Sequence, residues 1–167
     1  MDIKAVFFDI GSILIYDPSS EEPARLRKGV IALLKKLKSQ NLKLGIISNT
    51  SFPGRFHEEV LEKLKILSYF DVKVWSSEVG FKKPHPMIFY QAFQNLGGIA
   101  PGESVYVGDQ FERDIKSANR AGLWAIWITR HQEKREITFG WKIKGIDDAW
   151  EVIEKNLYKI DISSLSK

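Results

Sequence analysis

An aspartate, Asp9, ends the apolar run Ala5-Val6-Phe7-Phe8 and opens the turn Ile10-Gly11-Ser12 in the stretch FFDIGSIL. Two more apolar runs finish in polar groups. Residues 42–47 lead into Ser48-Asn49-Thr50, and residues 105–107 lead into Gly108-Asp109, with Asp114 five residues beyond. Lys82-Lys83 precedes Pro84 in an irregular segment. Paired carboxylates with neighbouring oxygen donors suit a hard cation such as Mg²⁺, which keeps several waters and takes one or two carboxylates. With that cation goes phosphate, whose remaining charge an ammonium can neutralise. Asp9, Ser48, a lysine of the Lys82-Lys83 pair and Asp109 are then a workable set for in-line phosphoryl transfer: a carboxylate nucleophile, a hydroxyl and an ammonium on the phosphoryl oxygens, and a second carboxylate on the metal.

Such a set works only if distant stretches of chain converge. Residues 5–8, 42–47, 105–107 and 124–128 read as strands buried on both faces, with weaker strands at 72–75 and, at an edge, 141–145. Between them, apolar residues recur at helical spacing. Over residues 23–40 the stripe is Leu26, Val30, Leu33, Leu34 and Leu37, and similar patterns cover 56–64, 86–96, 111–121 and 147–157. Alternating strands and helices predict an α/β fold, a doubly wound parallel sheet with helices on both faces in three layers. Open sheets of this kind bind ligands at the carboxyl ends of their strands, where the strand order reverses. Asp9, Ser48 and Asp109 all stand at such ends.

The 167 residues predict one domain spanning 1–167, with a core over about 3–157 and a peripheral tail over 158–167. A composition of 44% hydrophobic and 28% charged residues is that of an ordinary globular protein. The absence of cysteine excludes disulfides and thiolate metal sites. Nothing at the N-terminus resembles a signal peptide or a membrane span, so the expected location is cytoplasmic, with no membrane partner. A net charge of +4, with lysines interleaved among glutamates, does not indicate nucleic acid.

The order and surroundings of these residues resemble the haloacid dehalogenase-like hydrolase superfamily, most of whose members are Mg²⁺-dependent phosphatases. The resemblance rests on FFDIGSIL around Asp9, LGIISNT around Ser48, EVGFKKPHPMIF around Lys83, and VYVGDQFERDIKSANRAGL with Asp109 and Asp114. It covers residues 6–128. The resemblance implies a Rossmann-like core and a phosphomonoester hydrolase in which Asp9 becomes an aspartyl phosphate. It implies that Ser48, Asn49 and Lys83 bind the phosphoryl group. Mg²⁺ would be held by Asp9, the backbone carbonyl of Gly11 and Asp109, with Asp114 as a further ligand or an outer support.

Two departures from the family pattern bear on function. Relatives usually carry a second aspartate two residues after the nucleophile, as general acid and base, where this chain has Gly11. Glycine keeps the carbonyl but loses the proton donor, whose help is worth roughly 10²–10⁴-fold. Candidate substitutes are Asp17, His57 and His85. The second departure is the lack of room for a cap domain, either after Gly11 or between Ser51 and Lys82. An uncapped site suits a phosphorylated substrate that is small or macromolecular, or a homo-oligomer whose neighbours supply the lid. Phe52, Phe81 and Trp75 could stand near the rim of such a site but read rather as core aromatics, and the basic segment 130–144 could meet an acidic partner but reads rather as an exposed loop.

Structural readings compete at single residues: Ser48-Asn49 as a helix cap, Lys82-Lys83 as a solvated pair, Gly108-Asp109 as a turn. Rival functions are a binding or scaffold protein that keeps the fold without turnover, for which Gly11 speaks, a phospho-accepting receiver domain, and a 2-haloacid dehalogenase. A receiver needs an acidic pair after its first strand, which this chain lacks. A dehalogenase normally has a cap.

Overall fold

The strand-forming runs are separated by helical stretches, so the strands can pair side by side only in parallel, through crossovers. The structure is a computed structural model that describes residues 2–16 and 22–157. Its elements, in chain order, are β1 (Ala5–Phe8), β2 (Ile15–Tyr16), β3 (Arg25–Leu26), α1 (Val30–Ser39), β4 (Lys43–Ser48), α2 (Gly54–Lys63), β5 (Val72–Trp75), α3 (Ser76–Val79), α4 (Met87–Leu96), β6 (Ser104–Gly108), α5 (Lys116–Arg120), β7 (Trp124–Ile128), β8 (Gly140–Ile143) and α6 (Ala149–Leu157). Six strands form one sheet in the order β5-β4-β1-β6-β7-β8, every neighbouring pair parallel. From central β1 the chain winds outward through β4 to β5, then returns to β6 on the other side of β1. The reversal leaves a crevice between the carboxyl ends of β1 and β6. Phe8 lies opposite Ile46 on one side and Val107 on the other, so the residues after all three strands emerge at one level.

Alternate strand residues feed two cores. Val6, Phe8, Leu44, Ile46, Val105 and Val107 pack with the apolar stripe of α1 and with Ala149 and Ile153 of α6. Ala5, Phe7, Ile47 and Tyr106 pack with Ile88, Phe89 and Ala92 of α4 and Ala118 of α5. Each buried Val, Leu, Ile or Phe contributes about 1.5–3 kcal/mol. That burial sets the floor from which the site residues project. Among the described residues no second folded unit is inserted, and no helix is long and apolar enough to cross a membrane.

Three sequence expectations are corrected. The helix expected over 23–40 begins only at Val30, because Arg25 and Leu26 pair antiparallel with Tyr16 and Ile15 as a small flap. Gly29 makes the break: its φ of 89° is left-handed, and a Cβ there would come within 2.9 Å of Asp147 Cβ. Leu26 still turns toward the first core, so its helical spacing from Val30 was genuine burial in a different backbone. Of the three aromatics read as core, only Trp75 is buried, whereas Phe52 (61%) and Phe81 (38%) are exposed. The helix expected over 111–121 opens as a widened π turn, residues 111–115, before α5. Asp17 and the tail 158–167 lie outside the described residues.

Candidate active site

Asp9 leaves β1 with its N–H still bonded to Val107 O (3.1 Å), which carries the strand's direction one residue further. Its carboxylate turns into the crevice, only 4% exposed as a residue. Oδ1 accepts the N–H of Ile10 (2.8 Å) and the hydroxyl of Ser48 (2.8 Å). Ser48 is the last residue of β4, so the neighbouring strand delivers this hydroxyl. The helix-cap reading of Ser48 does not hold: α2 begins six residues later, behind Pro53, without a side-chain cap.

Lys83 rather than Lys82 enters the site. Lys82 is exposed, while the Lys83 side chain is fully buried, its Nζ 3.1 Å from Asp9 Oδ2 and 2.8 Å from Asp114 Oδ1. Nζ also donates to the Tyr106 hydroxyl (2.5 Å), which in turn donates to Ile47 O (2.9 Å). Burial, with the charges of Asp9 and Asp114 behind it, holds the Tyr106 phenol well above its usual range, so it stays a neutral relay. Asn49 fixes the lysine's backbone from both ends: its Nδ2 donates to Lys83 O and its Oδ1 accepts Lys83 N–H, each at 2.8 Å. The amide side chain of Asn49 thus positions Lys83, and the residue also lines the cleft.

Asp109 and Asp114 arrive through β6 and the π turn. In that turn both Asp114 N–H (2.7 Å) and Ile115 N–H (3.3 Å) donate to Gln110 O, and the wide loop folds Asp114 back onto the strand end. Gly108 makes room, since a Cβ there would strike Asp114 Cβ at 2.5 Å. Asp114 Oδ2 accepts Gln110 N–H (3.0 Å), while its buried Oδ1 has the lysine's charge beside it but no aligned hydrogen bond. Trp127 Nε1 holds the Asp109 carbonyl (2.9 Å). Burial, then the charges of Asp114 and Asp9, raise the Asp109 carboxyl above its ordinary range. Asp9, Asp109 and Asp114 each present an oxygen within 4.8 Å of the others, a spread that an octahedral Mg²⁺ shell with retained waters spans. The donor set therefore fits such a cation: hard oxygens, an orphaned buried oxygen, and mutual repulsion that a cation relieves.

An open cleft of about 250 Å³ lies over these groups, lined by Asp9, Gly11, Ser48, Asn49, Asp109 and Arg113, with His57 also on its wall. Arg113 gave no motif signal, yet its guanidinium lies 3.6 Å from Asp9 Oδ2 and 3.7 Å from Asp114 Oδ1. The π turn that seats Asp114 also swings Arg113 inward. Of the candidate substitute acids, His57 reaches the cleft, with Nε2 2.7 Å from Thr50 Oγ1 and its ring stacked on Trp75. His85 instead stacks on Phe81 in a separate surface hollow.

Fold and site together define a doubly wound α/β protein with a buried Asp–Lys–Asp cluster at its topological switch point. The chain belongs to the haloacid dehalogenase-like hydrolase family, whose model matches residues 15–128 and so takes in Ser48, Lys83, Asp109 and Asp114. A glyceraldehyde 3-phosphate phosphatase from Methanopyrus kandleri is 40% identical over 101 residues, which is 60% of this chain and 42% of that protein. The chain spans about half the length of the curated relatives it matches, or somewhat less. Among solved structures, an uncharacterized protein from Listeria monocytogenes serotype 4b superposes with a TM-score of 0.79 at 29% identity, covering 92% of this chain and 98% of that one. A HAD phosphatase from Thermococcus onnurineus shares the fold with a TM-score of 0.76 at 23% identity, covering 90% and 98%.

Proposed function

We propose that this chain is a Mg²⁺-dependent phosphomonoester hydrolase that works through an aspartyl phosphate on Asp9. The observation that carries the reading is the Asp9 carboxylate, held at the switch point between the Ser48 hydroxyl and the Lys83 ammonium. Asp9 attacks phosphorus as the bond to the leaving oxygen breaks, and that oxygen takes a proton. Water then attacks the aspartyl phosphate, freeing Asp9 and inorganic phosphate. Ser48 Oγ and Lys83 Nζ, already on the two oxygens of Asp9, bind the phosphoryl oxygens, and Arg113 adds a second cation. Asp9, the Gly11 carbonyl and Asp109 would hold Mg²⁺, with Asp114 supporting the site. Bound there, the ion would supply charge neutralisation at the phosphoryl group.

Gly11 leaves proton transfer to another group, and His57 is the candidate on the cleft wall. Cytoplasmic residence belongs to the same reading. Gly11 is also what favours the second reading, a binding protein that keeps the cleft without turnover. The test is Mg²⁺-dependent hydrolysis of an aryl phosphate beside an alkyl phosphate, with Asp9→Asn as control. Aryl turnover that vanishes in the variant supports the phosphatase. Asp9-independent release, or none from either ester, turns the assignment toward the binding protein.

A further inference from the structure

Beside the cleft the surface drops into two joined hollows that the phosphoryl chemistry does not use. The inner one, about 270 Å³, shares Ser12 and Asp109 with the cleft, and the outer, about 210 Å³, shares Ser12, Arg27 and Arg130 with the inner. Their walls come from the flap with the turn before α1, and from the segments after β7 and β8. The cations of the outer hollow are Arg27, Lys28, Arg130 and Lys144, against one carboxylate, Asp147. Lys28, Arg130 and Lys144 make no ion pair among the described residues. Arg27 is held differently, its guanidinium 4.1 Å over the Tyr16 ring and its buried Nε without a hydrogen-bond partner. In the inner hollow Glu133 is already paired with Arg135 (2.7 Å), and His131 and Asp109 are the other titratable groups. Four cations from three separate stretches of chain thus converge on a space beside the phosphoryl site, with Asp147 the one carboxylate among the described residues that line it.

We infer that this basin is a specificity subsite for a second anionic group, so that the substrate is a small phosphomonoester that also carries a carboxylate or a second phosphate. The inference rests on the phosphatase reading and narrows its substrate. A carboxylate or phosphate on a chain of two or three carbons matches hollows of this size. A nucleic acid fits less well: the Tyr16 ring, which lines the basin, already has Arg27 and Arg25 over it, and Trp127 is buried, so the described lining offers the bases little aromatic surface for stacking. Arginine and lysine are the residues suited to carboxylate and phosphate oxygens, and a site open to water leaves binding energy to such charge-assisted contacts.

The experiment compares 3-phosphoglycerate with glyceraldehyde 3-phosphate, which differ as carboxylate and aldehyde on one skeleton, and p-nitrophenyl phosphate as a probe of the phosphoryl site alone. The full chain with Mg²⁺ is to be assayed beside Arg130→Ala and Lys144→Ala, two exposed positions. The carboxylate ester is expected to lead in kcat/KM by about tenfold or more. Each variant is expected to lose roughly tenfold on it, with p-nitrophenyl phosphate changed by less than about twofold. Equal kcat/KM for the two skeleton-matched esters, or equal losses on all three, overturns the subsite while leaving the phosphatase intact. Should no phosphate be released from any of them, the phosphatase reading fails separately, and calorimetric titration with phosphoglycolate decides the subsite. Binding that weakens in both variants supports it, and no binding overturns it. A 5′-phosphorylated oligonucleotide that displaces the small acids and loses affinity in the same variants also overturns it.

Discussion

The ammonium of Lys83 lies 3.1 Å from Oδ2 of Asp9, with the lysine side chain fully buried and the aspartate side chain 6% exposed. Such a pair is costly to desolvate and costly to break. Lys83→Met leaves Asp9 and Asp114 facing each other without a buried cation, a loss of about 3–5 kcal/mol by urea unfolding. Lys83→Met with Asp114→Asn recovers part of that stability, because one of the stranded charges is gone, yet neither variant turns over an aryl phosphate. A single variant within 1 kcal/mol of wild type would show that the pair contributes little.

Restoring the missing acid is a direct gain-of-function test. Gly11→Asp is expected to raise alkyl phosphate turnover, approaching the roughly 10²-fold lower end of general acid help, with a smaller gain on p-nitrophenyl phosphate, whose leaving group departs as an anion. The ratio of alkyl to aryl kcat measures it. An unchanged ratio means that protonation does not limit the enzyme.

If His57 supplies the proton in the natural chain, His57→Gln reverses that ratio. Alkyl turnover falls by about 10²-fold, aryl turnover much less, and the basic limb of the alkyl pH profile is lost. The thermal midpoint serves as control, because His57 also stacks on Trp75 and bonds Thr50. Equal losses on both esters would assign His57 to packing alone.

Metal binding has a readout that does not depend on turnover. Mg²⁺ added at about a hundred times its dissociation constant is expected to stabilise the fold by about 2.7 kcal/mol, and chelation to remove that increment. Asp109→Asn is expected to abolish the response, since it removes a carboxylate from the three-aspartate cluster. A thermal midpoint that moves equally in wild type and variant places the ion elsewhere.

Far from the cleft, Asp71 ties β5 to β4. Burial alone would raise its pKa, but the Leu44 N–H (2.8 Å), Lys38 (2.9 Å) and Lys43 (3.3 Å) outweigh it and the carboxyl is lowered. A folded pKa below the unfolded one means stability that is full above about pH 4 and lost as pH falls through the lowered value. Asp71→Asn is expected to cost about 1 kcal/mol at pH 7 and nothing at a pH below both values. Urea midpoints at the two pH values check the sign.

Local pattern was enough to read the six strands of the main sheet, most helices and the strand-end positions of Asp9, Ser48 and Asp109, because burial periodicity is written residue by residue along the chain. It misjudged the start of α1, where Leu26 keeps a helical spacing from Val30 but Gly29 breaks the backbone between them. Periodicity records which face is buried, not the dihedral angles that bury it. Convergence is a different matter. That Lys83 rather than Lys82 turns inward, that Tyr106 relays it to Ile47, and that Arg113 swings toward Asp9 all follow from strand order, register and one widened turn. The same holds for Arg27, more than a hundred residues before Arg130 and Lys144 in sequence, which meets them only because the flap and the segments after β7 and β8 share one edge of the sheet. By itself the sequence determined the chemistry available at the ends of its strands. Which charges stand within reach of one another was decided by non-local packing, since Coulomb energy depends on separation in space and the sequence carries only separation along the chain.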